Sequence, residues 1–80
     1  PNRVEYKGIN VAVLQALAEA RNLTVIGIDT LREAGFINKN QLVKILGNGA
    51  LTKAIEVEAN AFSKKAEEAI VAAGGTVTKK

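Results

Sequence analysis

Apolar and polar residues change their spacing several times along this chain, and each change marks an element. Val4, Tyr6 and Gly8 alternate with Glu5 and Lys7, a period of two that predicts a short edge strand. From Val11 the period lengthens. Val11, Leu14, Leu17 and Ala18 recur at three and four residues as one apolar stripe, which predicts a helix over 11–21. Asn10 is its natural cap, and Glu19 and Arg21 then face water. After a turn at Asn22, the β-rich run from Leu23 to Ile26 predicts a second short strand.

A brief second helix is expected to include residues 30–34. Thr30 and Glu33 stand at capping-box spacing and Gly35 at the left-handed exit; Asp29 or Gly27 would serve as the cap instead, and each choice points Leu31 and Ala34 at the core. Phe36 and Ile37 are expected to anchor the exit by burial. Asn38-Lys39-Asn40 reads as a turn and Gln41 to Leu46 as a strand, which Gly47-Asn48-Gly49 breaks. Further on, Ile55 and Val57 point one way while Glu56 and Glu58 point the other, the alternation of a strand buried on one face.

Ser63 caps a last helix whose buried face is Ala66, Ala69, Ile70 and Ala73, and Gly74 ends it. Because that exit needs a left-handed residue, Gly74 is expected to resist substitution more than Gly75. Val77 adds a final short strand, and Lys79 and Lys80 are expected to fray. The strand at Ile55, the helix after Ser63 and the strand at Val77 form a right-handed parallel crossover. The fold class is therefore α/β, in one small domain.

Composition narrows this picture. Eighty residues build one core and bury only roughly 60% of their unfolded surface. With 48% hydrophobic residues and Tyr6, Phe36 and Phe62 as the aromatics, that core is aliphatic and the chain globular rather than disordered. Cysteine and histidine are absent, which sets aside disulfides, zinc sites of the usual kind and triad chemistry. Closure on packing alone suits a reducing cytosol. No apolar run approaches the roughly 20 residues that span a bilayer, so no membrane partner is expected. Pro1 in place of an initiating Met leads us to expect either a processed terminus or a cut point in a longer protein.

The candidate chemistry is sparse. Gly47-Asn48-Gly49 begins a dinucleotide fingerprint, but Thr52 stands where a third glycine is needed and a strand follows, so a turn is the stronger reading. Neither Glu56 with Glu58 nor Glu67 with Glu68 has a pocket to separate two carboxyl pKa values. We expect no enzyme, no cofactor and no small-molecule substrate. Lys64 and Lys65 directly follow the Ser63 cap and put two positive charges at the positive end of the helix dipole. Glu67 and Glu68 would compensate them locally; a phosphate held by free amides and both lysines would do so as well.

Lys44 and Lys53 flank the glycine turn, and Lys39 sits between Asn38 and Asn40 in the turn before it, which predicts one basic, amide-rich end. With few aromatics to stack bases, contacts should go to phosphate and ribose. A net charge of +3 is mild for a nucleic-acid domain and on its own is explained by solubility.

One stretch is far more specific than any of these features. Lys44-Ile45-Leu46-Gly47-Asn48-Gly49, then Ile55, Val57 and Ala59, then Phe62-Ser63, Ala66, Ile70 and Gly74-Gly75 resemble the C-terminal signature of the bacterial large-subunit ribosomal protein L-fifteen family. The first forty residues match through Asn10, Leu14, Leu17, Glu33-Ala34-Gly35 and Ile37. The resemblance implies an irregular superhelix of strand, strand and helix turns, the ribosomal L-fifteen/L-eighteen-e fold, with residues 1–80 as the C-terminal globular domain of such a protein.

It also implies a structural role: binding large-subunit ribosomal RNA and supporting assembly of the large subunit, beside neighbouring large-subunit proteins in the cytoplasmic ribosome. On that reading the RNA-contacting residues are Lys39, Lys44, Asn48, Lys53, Ser63, Lys64 and Lys65. Two departures stand out. The glycine- and arginine-rich N-terminal extension of the family has no counterpart in these residues, and Glu58 stands where the family usually carries a basic side chain. The rival is a protein-interaction module with little or no RNA binding, using its alanine-rich helices; the mild charge and the acidic strand face favour it.

Overall fold

A computed structural model describes residues 6–38 and 41–80. In chain order it contains β1 (Tyr6–Asn10), α1 (Val11–Arg21), β2 (Val25–Ile26), α2 (Ile28–Glu33), β3 (Leu42–Leu46), β4 (Glu56–Ala59), β5 (Ala61–Phe62), α3 (Lys64–Ala72) and β6 (Thr76–Lys79). The chain deals these strands alternately to two sheets. Odd strands form the first, in the order β1-β3-β5, and even strands form the second, β2-β4-β6; every neighbouring pair is parallel. Each circuit of the chain thus lays one rung on each sheet, which is a superhelix. Its turns are unequal: Tyr6 lies opposite Leu42, whereas Lys44 lies opposite Ala61. A fixed sequence period is therefore missing, although the small α/β domain and the superhelix are both present.

Burial falls on one face of each central strand, the face turned toward the shared core. Val43 and Ile45 on the central rung β3, Val57 on the central rung β4, and Ile55 just before it are enclosed by Leu14, Ala18, Leu31, Ala66 and Ile70. Glu56 is exposed while Ile55, Val57 and Ala59 are buried, so the alternation read from sequence holds. Helix α1 occupies the expected residues and buries the expected Val11, Leu14, Leu17 and Ala18. It ends at Asn22, which adopts the left-handed conformation while the Leu23 amide donates to Ala18 O at 2.9 Å.

Several local expectations are corrected. In β1 the buried side chain is Ile9, opposite Ile45, and Tyr6 is 51% exposed; a change of phase by one residue moves the whole apolar set to the other face. Asn10 begins α1 with extended backbone but makes no side-chain cap bond. Strand β2 is confined to the last two residues of its predicted run. Helix α2 starts after Gly27, the earliest of the three weighed caps, and Thr30 lies inside it, its Oγ1 accepting the Gly27 N–H at 3.3 Å. Ile37 is buried as expected, but Phe36 stands 36% exposed.

Strand β5 is missing from the sequence pattern because two residues carry no period. It is prepared by Asn60, whose Oδ1 accepts the Val43 N–H at 2.8 Å and whose own N–H donates to Val43 O at 3.1 Å. At the carboxyl end Lys79 pairs within β6 opposite Ala59, and the Lys80 amide donates to Ala59 O at 2.8 Å, so this terminus is tied down rather than frayed. Both final glycines are constrained, and not Gly74 alone. Gly74 is left-handed but has room beside it, whereas a Cβ on Gly75 would overlap the Ile55 carbonyl oxygen. Val4 and Glu5, and the Lys39-Asn40 half of the predicted turn, lie outside the described residues.

Candidate nucleic-acid interface

Because the first sheet is parallel, its strands all release the chain at one edge. There β1 runs into α1, β3 runs into Gly47-Asn48-Gly49, and β5 runs through Ser63 into α3. Two helix N-termini therefore flank one glycine loop, and their free amides and positive dipole ends share an edge.

The loop descends between the helices because both glycines lack side chains. A Cβ on Gly47 would stand 2.6 Å from the Lys65 carbonyl carbon and 2.7 Å from the Ala66 nitrogen, so this position backs directly onto the first turn of α3. Gly49 has φ +116, and a Cβ there would lie 2.7 Å from Ala12 Cβ in the first turn of α1. The exposed Asn48 sits between these two contacts.

At the start of α3 the Ser63 Oγ accepts the Ala66 N–H at 3.1 Å, the cap bond expected from sequence, while the Ser63 amide donates to Ile45 O at 2.8 Å. Lys64 and Lys65 are exposed in the turn that follows. Among the described residues the ion pairs are Arg32 with Asp29 at 3.0 Å and Lys80 with Glu58 at 3.7 Å. Neither Glu67 nor Glu68 reaches the two lysines, so local compensation by ion pairing is not realised.

The remaining predicted residues divide. Lys53 lies half-buried further along the same loop, against α1. Lys44 is exposed on the outer face of the first sheet, between Gly8 and Ala61 on the neighbouring strands, so it adjoins the edge without belonging to it. Asn38 stands before the opposite end of β3, a five-residue strand about 16 Å long, and its turn does not share the edge. Lys39 lies outside the described residues.

Gln15 is the residue that sequence reasoning missed. Its Oε1 accepts the Thr52 N–H at 2.6 Å and the Lys53 N–H at 3.3 Å, and its Nε2 donates to Thr52 Oγ1 at 3.0 Å. A lone polar residue on a helix carries no signal of a partner 37 positions away. No group of His, Cys, Asp or Glu that would hold a metal occurs among the described residues, nor is any helix there long and apolar enough to cross a membrane.

Fold and edge together define a class: a small α/β superhelix in which two helix N-termini and a glycine loop share one edge. The family of ribosomal proteins 50S-L15 and 50S-L18e, together with their counterpart in the 60S subunit, matches residues 8–78, and the chain belongs to it. It is 68% identical over 78 residues to the large ribosomal subunit protein uL15 of Bacteroides thetaiotaomicron, covering 98% of this chain and 53% of that protein. Against the protein of the same name from Porphyromonas gingivalis strain W83 identity is 62% with the same coverage, and against that of Azobacteroides pseudotrichonymphae it is 55%, covering 95% and 50%. The chain spans about half the length of the curated relatives it matches. Those relatives are named as ribosomal proteins and not as enzymes.

Proposed function

We propose that these residues form the C-terminal globular domain of a large-subunit ribosomal protein, which binds folded large-subunit ribosomal RNA and supports assembly of the subunit in the cytoplasm. The observation that carries this reading is the rim: two helix N-termini, an exposed glycine loop and two lysines without a carboxylate partner at one edge of one sheet. Such a rim favours phosphate oxygens, and the family membership makes ribosomal RNA the natural source of them.

Asn48, Ser63, Lys64 and Lys65 are assigned to it directly. Lys53 lies along the same loop and Lys44 contributes from the adjoining face. Lys39 remains a proposed contact on the resemblance alone. Neighbouring large-subunit proteins are the further partners of this reading, and no small molecule has a place in it.

The test is RNA binding over a salt series. Each phosphate contact contributes roughly 0.7 to 0.9 to the slope of log affinity against log salt. A Lys64→Ala, Lys65→Ala double variant of the full-length protein should bind large-subunit RNA fragments less tightly and with a slope shallower by about 1 to 2, while melting at the wild-type temperature. Binding indifferent to both lysines would defeat the assignment.

One surface favours the rival reading. Ala12, Val13, Ala16 and Ala20 on α1 line a shallow apolar depression with Phe36, the side chain expected to be buried. If protein contact through that face were the main role, salt dependence would be weak and the lysine variants silent.

A further inference from the structure

We infer that Gln15 is a positioning residue for the RNA-facing loop, holding residues 47–54 in the shape that presents Asn48 and Lys53; the inference rests on the RNA-binding reading. Among the described residues, the backbone of 47–54 makes no hydrogen bond to the rest of the protein except the two that Gln15 Oε1 accepts, from Thr52 and Lys53. A third bond, from Gln15 Nε2 to Thr52 Oγ1, fixes the amide so that its oxygen faces the two N–H groups.

The remaining restraints on the loop are packing contacts. Gly47 backs onto Lys65 and Ala66, Gly49 onto Ala12, and the half-buried Leu51 packs against the core. Ala12 and Gln15 are three residues apart on α1 and share a face, so the loop crosses from the start of α3 to the start of α1 and then follows α1 to Gln15. Packing sets where the loop begins. Near its far end Leu51 adds packing, and among the described residues the Gln15 side chain supplies the hydrogen bonds that hold the backbone next to Lys53.

A loop that presents charges to phosphate loses affinity when it must be ordered on binding, because the entropy of ordering is then subtracted from the contact energy. Pre-ordering by Gln15 removes that cost. The side chain needs no contact with RNA to have this effect, and its loss should weaken binding while leaving the number of phosphate contacts unchanged.

The experiment compares Gln15→Leu, Gln15→Glu and Thr52→Val with the Lys64→Ala, Lys65→Ala double variant in the full-length protein. Amide exchange is read without RNA, and affinity for a folded large-subunit RNA fragment is read over a salt series. In Gln15→Leu the Thr52 and Lys53 amides should exchange about tenfold faster while those of Ile45 and Val57 keep their protection. RNA affinity should fall about fivefold with the salt slope unchanged, because the same lysines meet phosphate once the loop is ordered.

Gln15→Glu keeps an acceptor for both amides and should restore their protection; failure to do so overturns the acceptor role. Wild-type RNA affinity in Gln15→Leu, with the double lysine variant still weakened, overturns the inference and leaves the RNA reading standing. Indifference of both overturns the two together. Should Gln15→Leu fail to fold, Thr52→Val decides the matter: it removes only the Oγ1 acceptor and should produce a smaller loss in the same direction, and no loss would sink the proposal.

Discussion

Helices α1 and α3 leave the same edge of the same sheet, yet they are started in different ways. The nine-residue α3 is closed by Ser63, whose hydroxyl accepts the Ala66 amide, and it fully buries only Ala66 and Ile70. The eleven-residue α1 begins at Asn10, whose side chain makes no cap bond and whose Oδ1 is buried without a partner, but it buries four apolar residues. A cap contributes about 1 kcal/mol, whereas burying one large aliphatic side chain contributes roughly 1.5 to 3. A helix with a broad buried stripe tolerates an open start. One with a narrow stripe relies on its cap, and here the capped helix is the one that carries both exposed lysines.

The largest test of this contrast is in α1. Leu14→Ala should cost about 3 kcal/mol in a denaturant melt, since the side chain is fully enclosed and the site has strands on one side to resist collapse. A loss below about 1 kcal/mol would mean that burial is not what holds α1. Next in size is Gly47→Ala, at about 2 kcal/mol, because a Cβ there meets the backbone of α3 rather than a side chain that can turn aside. Amide exchange should show the damage first at Ala66 and Glu67; uniform loss across the core would instead locate the strain elsewhere.

The smallest effects sharpen the comparison most. Ser63→Ala should cost about 1 kcal/mol, while Asn10→Ala, which removes an acceptor that satisfies nothing, should cost less than about 0.5 kcal/mol. Equal midpoints for these two variants would erase the distinction between the helix starts.

Much of the fold was legible because it is written in local periods. The stripe of α1, the alternation of β4, the cap at Ser63 and the left-handed Gly35 each depend on residues within one or two turns of each other. The errors fall where a local pattern competes with a distant neighbour. Ile9 rather than Tyr6 is buried because β3 supplies the partner face, and the two-residue β5 exists because Asn60 reaches Val43. Phe36 is exposed because Ile37, not its larger neighbour, meets the core.

The candidate rim divides in the same way. Ser63, Lys64 and Lys65 were readable as a capped, positively charged helix start, and family membership follows from the order of small and apolar residues between Lys44 and Gly75. Their meeting with Asn48 was not readable. It arises because parallel pairing brings the carboxyl ends of β1, β3 and β5 to one edge, and because Gly47 and Gly49 admit backbone where a methyl group would collide. The sequence by itself determined the three helices, the longer strands and the family they belong to, since those follow from short-range sterics and the spacing of apolar groups. Only the tertiary structure decided that strands alternate between two sheets and that Gln15 holds the loop, because hydrogen bonds between residues far apart in the chain leave no periodic trace in it.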